Sequence, residues 1–158
     1  MDANLIISQI GNTPLVKLKQ ASALTGCNIY GKAEYFNPGE SVKDRAALFI
    51  VNHALKNKLI SKGGTIVEGT AGNTGIGLAI VCKEYDLKLK IVIPKTQSIE
   101  KKETLRNLGA ELIEVDAVPY ANPKNYIKQS KQIAEDLNKS NSNGVYWANQ
   151  FDNVINTE

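Results

Sequence analysis

The chain has 158 residues, of which 42% are hydrophobic and 22% charged, and its 19 basic and 16 acidic side chains leave a formal charge of +3. This length and apolar content allow one packed domain, or somewhat more than one, and argue against a disordered chain. The charge excess is small and interleaved, which excludes the dense basic stripe of a nucleic-acid binder. No apolar run reaches the roughly 20 residues that span a bilayer, and we expect no secretory leader.

The opening segment contains short apolar pieces around the turn at 11–14. They lie at 4–10, 13–18 and 28–35, and the third has the composition of a strand. Two cysteines, Cys27 and Cys82, are widely separated and form no C-x-x-C motif. We therefore expect neither a zinc site nor a disulfide framework, and a reducing, cytoplasmic location.

Residues 37–45, NPGESVKDR, combine a Pro-Gly turn with the start of a helix. Ser41 is expected to cap that helix, and Asp44, three residues later, to complete a capping box. Lys43 would then lie in the first helical turn, where the helix dipole and any burial would lower the pKa of its amine. Such a lysine suits covalent chemistry with a carbonyl group. An ordinary surface lysine beside Asp44 is the alternative interpretation.

From residue 65 onward, short apolar runs alternate with helical patterns. The pattern predicts strands at 65–68, 90–93, 111–115 and 145–148, and helices at 74–85, 98–108 and 124–137. This alternation is typical of an α/β fold with an open parallel sheet flanked by helices. Ligands of such sheets bind beyond the carboxyl ends of the strands, which directs attention to the segment after Glu68.

That segment, EGTAGNTGIG at 68–77, joins a strand to a helix. Its N–H groups can converge on a carboxylate or phosphate, and Thr70, Asn73 and Thr74 add hydroxyl and amide groups. The glycine spacing matches neither the dinucleotide nor the Walker pattern, and a turn that merely permits close packing is the alternative. Gln150, after the fourth strand, either donates to the same anion or is a simple loop residue.

Four segments, taken in order, resemble the cysteine synthase and cystathionine β-synthase family of pyridoxal-phosphate enzymes, of fold type II. They are IGNTPLVKL at 10–18, NPGESVKDRAA at 37–47, EGTAGNTGIGLA at 68–79 and ANQFDNVIN at 148–156, and KTQSIEKKETLRNLGAELIEV at 95–115 is similar as well.

The resemblance implies roles for individual residues. Lys43 would hold pyridoxal 5'-phosphate covalently and then take the α-proton of the substrate. Asn73 would donate a hydrogen bond to the phenolic oxygen of the cofactor. The carboxylate of the amino-acid substrate would be bound by Thr70, Ala71, Gly72, Asn73, Thr74 and Gln150. The implied reaction is β-replacement, in which an activated serine such as O-acetylserine loses acetate and gains sulfide to give cysteine.

The chain departs from the family pattern at Gly69 and Ala71, where proline and serine are usual, and this leaves the exact substrate open. Family members are about twice as long, so we expect an incomplete chain that alone binds the cofactor poorly and turns over little. The expected division is an opening part of a larger domain at 1–43, a small α/β domain at 44–150, and a return toward the larger domain at 151–158. The resemblance implies a homodimer for the full-length form.

Three other functions stay open. A cystathionine β-synthase-like enzyme would use homocysteine or another nucleophile in place of sulfide. A catalytically silent α/β module would bind an amino acid or a protein partner. A nucleotide-binding α/β domain is disfavoured, because the glycine spacing is wrong and no ribose-binding acid stands at a convincing place.

Overall fold

A computed structural model describes residues 6–157. Residues 4 and 5 of the apolar piece at 4–10 lie outside the described residues, and Ile6–Gln9 form a short 3-10 helix. Strands β1 (Leu15–Lys17) and β2 (Tyr30–Lys32) then pair antiparallel as a separate two-stranded sheet. A helix that the sequence analysis did not predict, α1 (Lys19–Thr25), connects them.

The rest of the described chain builds a four-stranded parallel sheet. Its strands are β3 (Thr65–Gly69), β4 (Lys88–Pro94), β5 (Glu111–Val115) and β6 (Val145–Trp147), in the spatial order β5-β4-β3-β6. The helices are α2 (Lys43–Lys56), α3 (Asn73–Glu84), α4 (Ile99–Asn107) and α5 (Tyr126–Asn138). The predicted α/β fold with an open parallel sheet is therefore confirmed.

Helices cover both faces of this sheet. Ile66 and Ile91 face the larger core, which α2 and α3 close with residues such as Val51 and Leu78. The neighbouring strand residues Val67 and Val92 face a smaller core that α5 closes. Consecutive strand residues point to opposite faces, and helices on both sides explain why these strands read as continuous apolar runs rather than as alternating ones.

Capping side chains and a glycine mark the ends of helices in the alternating part. Ser98 caps α4 by accepting a hydrogen bond from the Lys101 N–H at 3.4 Å. Gly109 follows that helix with a φ of 95°, a conformation that glycine adopts without steric cost. Asn125 caps α5 through the Ile127 N–H, at 3.1 Å. Local chemistry therefore defines these ends well.

The opening part differs from its prediction. The expected strand at 28–35 is reduced to β2, because a short 3-10 helix begins at Glu34. The capping box at α2 is wrong: the helix begins at Lys43, and Val42 occupies the N-cap position without a side-chain hydrogen bond. The Ser41 hydroxyl instead accepts from the Lys43 N–H at 3.3 Å, and the Asp44 carboxylate accepts from the Gly39 N–H at 2.5 Å.

Candidate active site

A cavity of about 520 Å³ opens beside the carboxyl ends of β3 and β6. The first turns of α2, α3 and α5 surround it. Its lining residues are Ser41, Val42, Lys43, Thr70, Ala71, Gly72, Asn73, Thr74, Tyr126, Gln150 and Phe151. The position agrees with the general rule that ligands of open parallel sheets bind at the carboxyl edge.

All of the residues that the sequence analysis singled out line this one cavity, although they come from three separate stretches of the chain. Lys43 and Asn73 are exposed to the solvent in the opening, Thr70 and Thr74 are buried in the wall, and Gln150 is half-buried. Lys43 is the charged side chain among the lining residues. An amine, an amide and hydroxyl groups therefore face a shared volume.

Lys43 lies in the first turn of α2, as the sequence predicts, but it is not buried. Burial was one of the two features expected to favour the neutral amine, and the exposed Lys43 side chain lacks it. The helix N-terminus, the other cause, is present. The covalent role of the Lys43 amine therefore stays a prediction.

The fully buried Asp44 carboxylate holds the turn that precedes Lys43 by accepting a hydrogen bond from the Gly39 N–H. A Cβ atom on Gly39 would lie 2.4 Å from the Asp44 Oδ1, so only glycine fits where the turn passes the carboxylate. Burial raises the pKa of Asp44, and the hydrogen bond from the Gly39 N–H opposes that increase. Asp44 thus stabilises the 37–44 turn rather than capping the helix.

A second network ties α2 to the opening part of the chain. Arg45 donates to Glu34 through two nitrogens, each at 2.9 Å, and to the Gly11 carbonyl at 2.9 Å. Glu34 also accepts from Thr13 and Asn37. The Arg45 hydrogen bonds lower the pKa of Glu34 to about 2. Two-pronged pairs of this type fix geometry as well as adding energy, so the position of the Lys43 helix is well determined.

The glycine-rich loop continues β3 into α3. The Thr70 N–H extends the β3–β4 ladder by donating to the Val92 carbonyl at 3.2 Å. The Gly72 N–H donates to the Thr70 hydroxyl at 3.2 Å, and Gly72 is followed directly by the first residue of α3. The first N–H groups of a helix lack partners inside it and carry partial positive charge. The loop therefore offers a place for an anion, such as a carboxylate.

Gln150 reaches this loop from the segment after β6. The Thr74 hydroxyl donates a hydrogen bond to the Gln150 side-chain carbonyl, across 76 positions of sequence. This contact confirms that the two segments meet at one edge of the sheet. Whether Gln150 binds a substrate stays a prediction.

Gly69 explains how α5 comes to form one wall of the cavity. A Cβ atom at this position would lie 2.6 Å from the Ile127 Cα and 2.9 Å from the Tyr126 carbonyl oxygen. Any other residue, including the proline usual in the resembling family, would collide with this backbone. The departure from the family pattern at Gly69 thus accompanies a close approach of α5 that brings Tyr126 to the cavity.

Sequence analysis missed Tyr126, Phe151 and Glu68. Tyr126 and Phe151 reach the cavity through packing, for which the sequence carries no local signal. Glu68 lies just behind the loop in β3 and is only 2% exposed. The sequence does carry a signal for Glu68, because it is the one charged residue of a strand that is otherwise uncharged. Such a residue is uncommon, since burying a carboxylate is costly.

A smaller cavity of about 190 Å³ lies near the opposite end of α3, between that helix and the end of α4. The Cys82 thiol is one of the groups that line this cavity. Burial raises the pKa of this thiol to about 12. A thiol that stays protonated at neutral pH is a poor nucleophile and a poor metal ligand. The Cys82 thiol therefore does not make this cavity a competing catalytic site.

Two further searches of the described residues bear on function. Residues 6–157 contain no group of three or more His, Cys, Asp and Glu side chains arranged to hold a metal ion. None of the helices in that range has the length and apolar character needed to cross a membrane. Cys27 is an exposed free thiol and Cys82 a buried one.

The donor set fits pyridoxal 5'-phosphate. An amine that can form a covalent bond with an aldehyde, an amide that can donate to a phenolic oxygen, and an anion-binding helix start all face the same cavity. A cavity of about 520 Å³ also falls within the usual range for cofactor sites. Fold and site together define an α/β protein with a lysine-bearing cavity at the carboxyl edge of a parallel sheet.

Comparison with known proteins agrees with this class. Residues 6–158 match the family model described as "Pyridoxal-phosphate dependent enzyme". The chain belongs to this family.

The curated relatives include Cysteine synthase 1 of Neurospora crassa, which is 54% identical over 147 residues and matches 93% of this chain but 38% of its own length. The cysteine synthase structure from Entamoeba histolytica superposes with a TM-score of 0.81 at 34% identity, covering 99% of this chain and 46% of that one. Cystathionine β-synthase of Bacillus anthracis gives a TM-score of 0.74 at 35% identity, covering 96% and 55%. The chain thus spans about two fifths to one half of these relatives.

Proposed function

We propose that the chain takes part in a pyridoxal-phosphate-dependent cysteine synthase reaction, in which O-acetylserine and sulfide give cysteine and acetate. The observation that carries this proposal is the meeting of Lys43, the glycine-rich loop and Gln150 at one cavity. The similarity to curated cysteine synthases supports the choice of substrates. The domain division at 43 and 150, the cytoplasmic location and a homodimeric full-length form belong to the same proposal.

Each cavity residue has a task in this reaction. The Lys43 amine holds the cofactor and later moves the proton of the substrate α-carbon. The Asn73 amide orients the cofactor through its phenolic oxygen. The amino-acid carboxylate is bound by Thr70, Ala71, Gly72, Asn73, Thr74 and Gln150. When bound, pyridoxal 5'-phosphate supplies the electron sink that stabilises negative charge at the α-carbon.

The bond changes balance without a redox partner. The α-proton moves to the Lys43 amine, and the bond between the β-carbon and the acetate oxygen breaks. Sulfide then forms the new bond to the β-carbon, and the proton returns from Lys43 to the α-carbon. Lys43, exposed in the cavity mouth, has the freedom that these two roles require.

Cofactor capture tests this proposal. Pyridoxal 5'-phosphate, added to the purified chain in large excess because the chain alone is expected to bind it poorly, should produce a visible absorbance band that Lys43→Ala abolishes. The matched control is Lys56→Ala, which removes an exposed lysine at the other end of the same helix and should keep the band. A band of equal strength in the Lys43→Ala variant would contradict the proposal, and no band in a full-length form would favour the silent binding module.

A cystathionine β-synthase-like reaction is the second candidate, because the chain is also similar to solved structures with that name. The two candidates differ in the nucleophile that attacks the β-carbon. Supplying sulfide and homocysteine separately to a catalytically active full-length form, and identifying the amino acid produced, distinguishes them. Cysteine from sulfide supports the first candidate, and cystathionine from homocysteine supports the second.

A further inference from the structure

The loop between β3 and α3 is loosely packed where it borders the candidate cavity. Ala71, Gly72 and Asn73 line the cavity on one side and a cleft of about 10 Å³ against α4 on the other. A Cβ atom added at Gly72 would meet none of the described residues within 4 Å. Packing therefore does little to fix the backbone at 71–72, and hydrogen bonds have to hold it.

One of these hydrogen bonds comes from the segment between β4 and α4. The side-chain amide of Gln97 donates to the Ala71 carbonyl at 2.7 Å, across 26 positions of sequence. At its other end, the carbonyl oxygen of the same amide accepts from the Ser98 N–H at 3.0 Å. Because a backbone N–H can only donate, this second bond selects the carbonyl end of the amide and leaves the nitrogen end to face Ala71. Gln97 therefore connects the start of α4 to the loop in one defined orientation.

The turn that carries Gln97 is itself anchored to the sheet. The Gln97 N–H donates to the carbonyl of Pro94, the last residue of β4, at 3.0 Å. The Lys95 N–H donates to the Val115 carbonyl at 2.8 Å, and the Lys95 carbonyl accepts from the Lys102 ammonium group at 2.7 Å. The Lys102 side chain is only 10% exposed. Gln97 thus reaches the loop from a fixed position.

The bond from Gln97 determines the direction of the next peptide N–H. A trans peptide unit is planar, so its carbonyl and its N–H point in opposite directions. With the Ala71 carbonyl turned toward the start of α4, the Gly72 N–H points to the Thr70 hydroxyl, to which it donates at 3.2 Å. This hydroxyl lines the cavity, and a hydroxyl that accepts from an N–H can donate its own proton to a ligand. Gln97 itself lies outside the cavity lining.

We propose that Gln97 is a positioning residue that keeps the 70–72 backbone in the conformation that binds a carboxylate, without touching the ligand itself. The carboxylate-binding role of the loop rests on the proposed function; the hydrogen bond from Gln97 to the loop does not. Without this bond the peptide unit between Ala71 and Gly72 can rotate, and the Thr70 hydroxyl loses the N–H that directs its proton toward the cavity. The affinity of the loop for a carboxylate then falls, whereas the helices and strands are retained.

Titration of the ¹⁵N-labelled chain with sodium acetate, a simple carboxylate, tests this inference by nuclear magnetic resonance without cofactor. The backbone N–H signals of Asn73 and Thr74, the first residues of α3, report binding. We expect a saturable shift in the parent chain and an affinity about three- to tenfold weaker in Gln97→Met, the range that one hydrogen bond contributes. Gln132→Met, the same change at an exposed position of α5, should bind acetate as the parent chain does. Sodium chloride at matched ionic strength should produce no such shift.

Equal acetate affinity in Gln97→Met and Gln132→Met would overturn the inference, and so would the absence of a saturable shift in the parent chain. A role in packing alone would lower the thermal unfolding midpoint of Gln97→Met and leave its acetate affinity unchanged. If Gln97→Met fails to fold, the side-chain N–H signals of Gln97 in the parent chain replace it. They must follow the same acetate saturation curve as the Asn73 signal, and signals that stay fixed overturn the inference.

Kinetics of a catalytically active full-length form extend the test to the substrate. Gln97→Met should raise the KM for O-acetylserine by about the same three- to tenfold and leave kcat unchanged, because the bond acts on carboxylate binding and not on the reacting atoms. A loss confined to kcat would contradict the inference. The acetate titration uses neither Lys43 nor the cofactor, so a failure there leaves the cofactor-capture test untouched, and a failure of cofactor capture leaves the titration untouched.

Discussion

Glu34 and Glu68 are both glutamates with several hydrogen-bond donors nearby, yet their pKa values move in opposite directions. Arg45 lowers the pKa of Glu34 to about 2, because a guanidinium favours the charged form. Burial raises the pKa of Glu68 to about 7, because its donors are neutral amides that do not fully replace water. Protons therefore act on the stability of this chain through two distinct residues and in two pH ranges.

Glu68→Gln should change how stability depends on pH. The native carboxyl, with a pKa of about 7, binds its proton more tightly than the unfolded one, with a value of 4.5, so stability falls as pH rises between these values. The loss is at most about 3 kcal/mol at 1.36 kcal/mol per unit. Urea unfolding at mildly acidic and mildly alkaline pH should show this loss in the parent chain and in Glu103→Gln, the same chemical change on the exposed face of α4, but not in Glu68→Gln. An equal loss in Glu68→Gln would contradict the prediction.

Glu34→Gln should destabilise the chain at neutral pH by about 1–2 kcal/mol, a value reduced for solvent screening because the Glu34 side chain is 20% exposed. The depressed pKa means that the stabilisation is complete above the unfolded value of 4.5 and is lost as pH falls toward about 2. Urea midpoints at neutral pH measure the effect. Identical midpoints for Glu34→Gln and the parent chain would show that the Arg45 pair contributes nothing.

Among the elements, the contact between β3 and α5 depends on the absence of a side chain. Gly69→Ala should cost about 1–3 kcal/mol through overpacking, because its Cβ would lie 2.6 Å from the Ile127 Cα. Gly72→Ala is the matched control in the same loop: its Cβ would meet nothing within 4 Å, and its φ of −142° is ordinary extended backbone. Thermal unfolding of both variants checks this. A Gly69→Ala variant as stable as Gly72→Ala would refute the close approach.

The strands and helices from residue 65 onward were predictable from the sequence because each buries an apolar face with a regular period, as Ile66 and Val67 do on opposite sides of β3. Helix α1 was not, because it has no buried residue and hence no such pattern. The start of α2 was misjudged because Asp44 bonds to Gly39 across the turn, a contact that local capping rules do not describe.

The residues of the candidate site also divide into those that the sequence predicts and those that it does not. Lys43, the glycine-rich loop and Gln150 could be found because each stands where a strand or turn meets a helix or loop. Tyr126 could not, because it reaches the cavity through the packing of α5 against β3.

Across the molecule, the two cysteines differ in accessibility, and Cys82 reports on the chemistry of the smaller cavity. Cys27 is exposed, whereas Cys82 is buried beside the smaller cavity with a pKa raised to about 12. A thiol reagent should therefore label one cysteine rapidly, Cys27, and the other only on unfolding. Mass spectrometry of the labelled peptides measures this. Rapid labelling of Cys82 in the folded chain would show that the smaller cavity is chemically open.

We propose that one lysine, at the carboxyl edge of the parallel sheet, is the site of cofactor attachment. Its most direct test is to add pyridoxal 5'-phosphate to the chain, reduce the product with borohydride, and map the modified peptide. We expect the label to concentrate on Lys43, and Glu103→Gln should not alter this. A label distributed evenly over the exposed lysines, with Lys43 no more modified than Lys56, would contradict it.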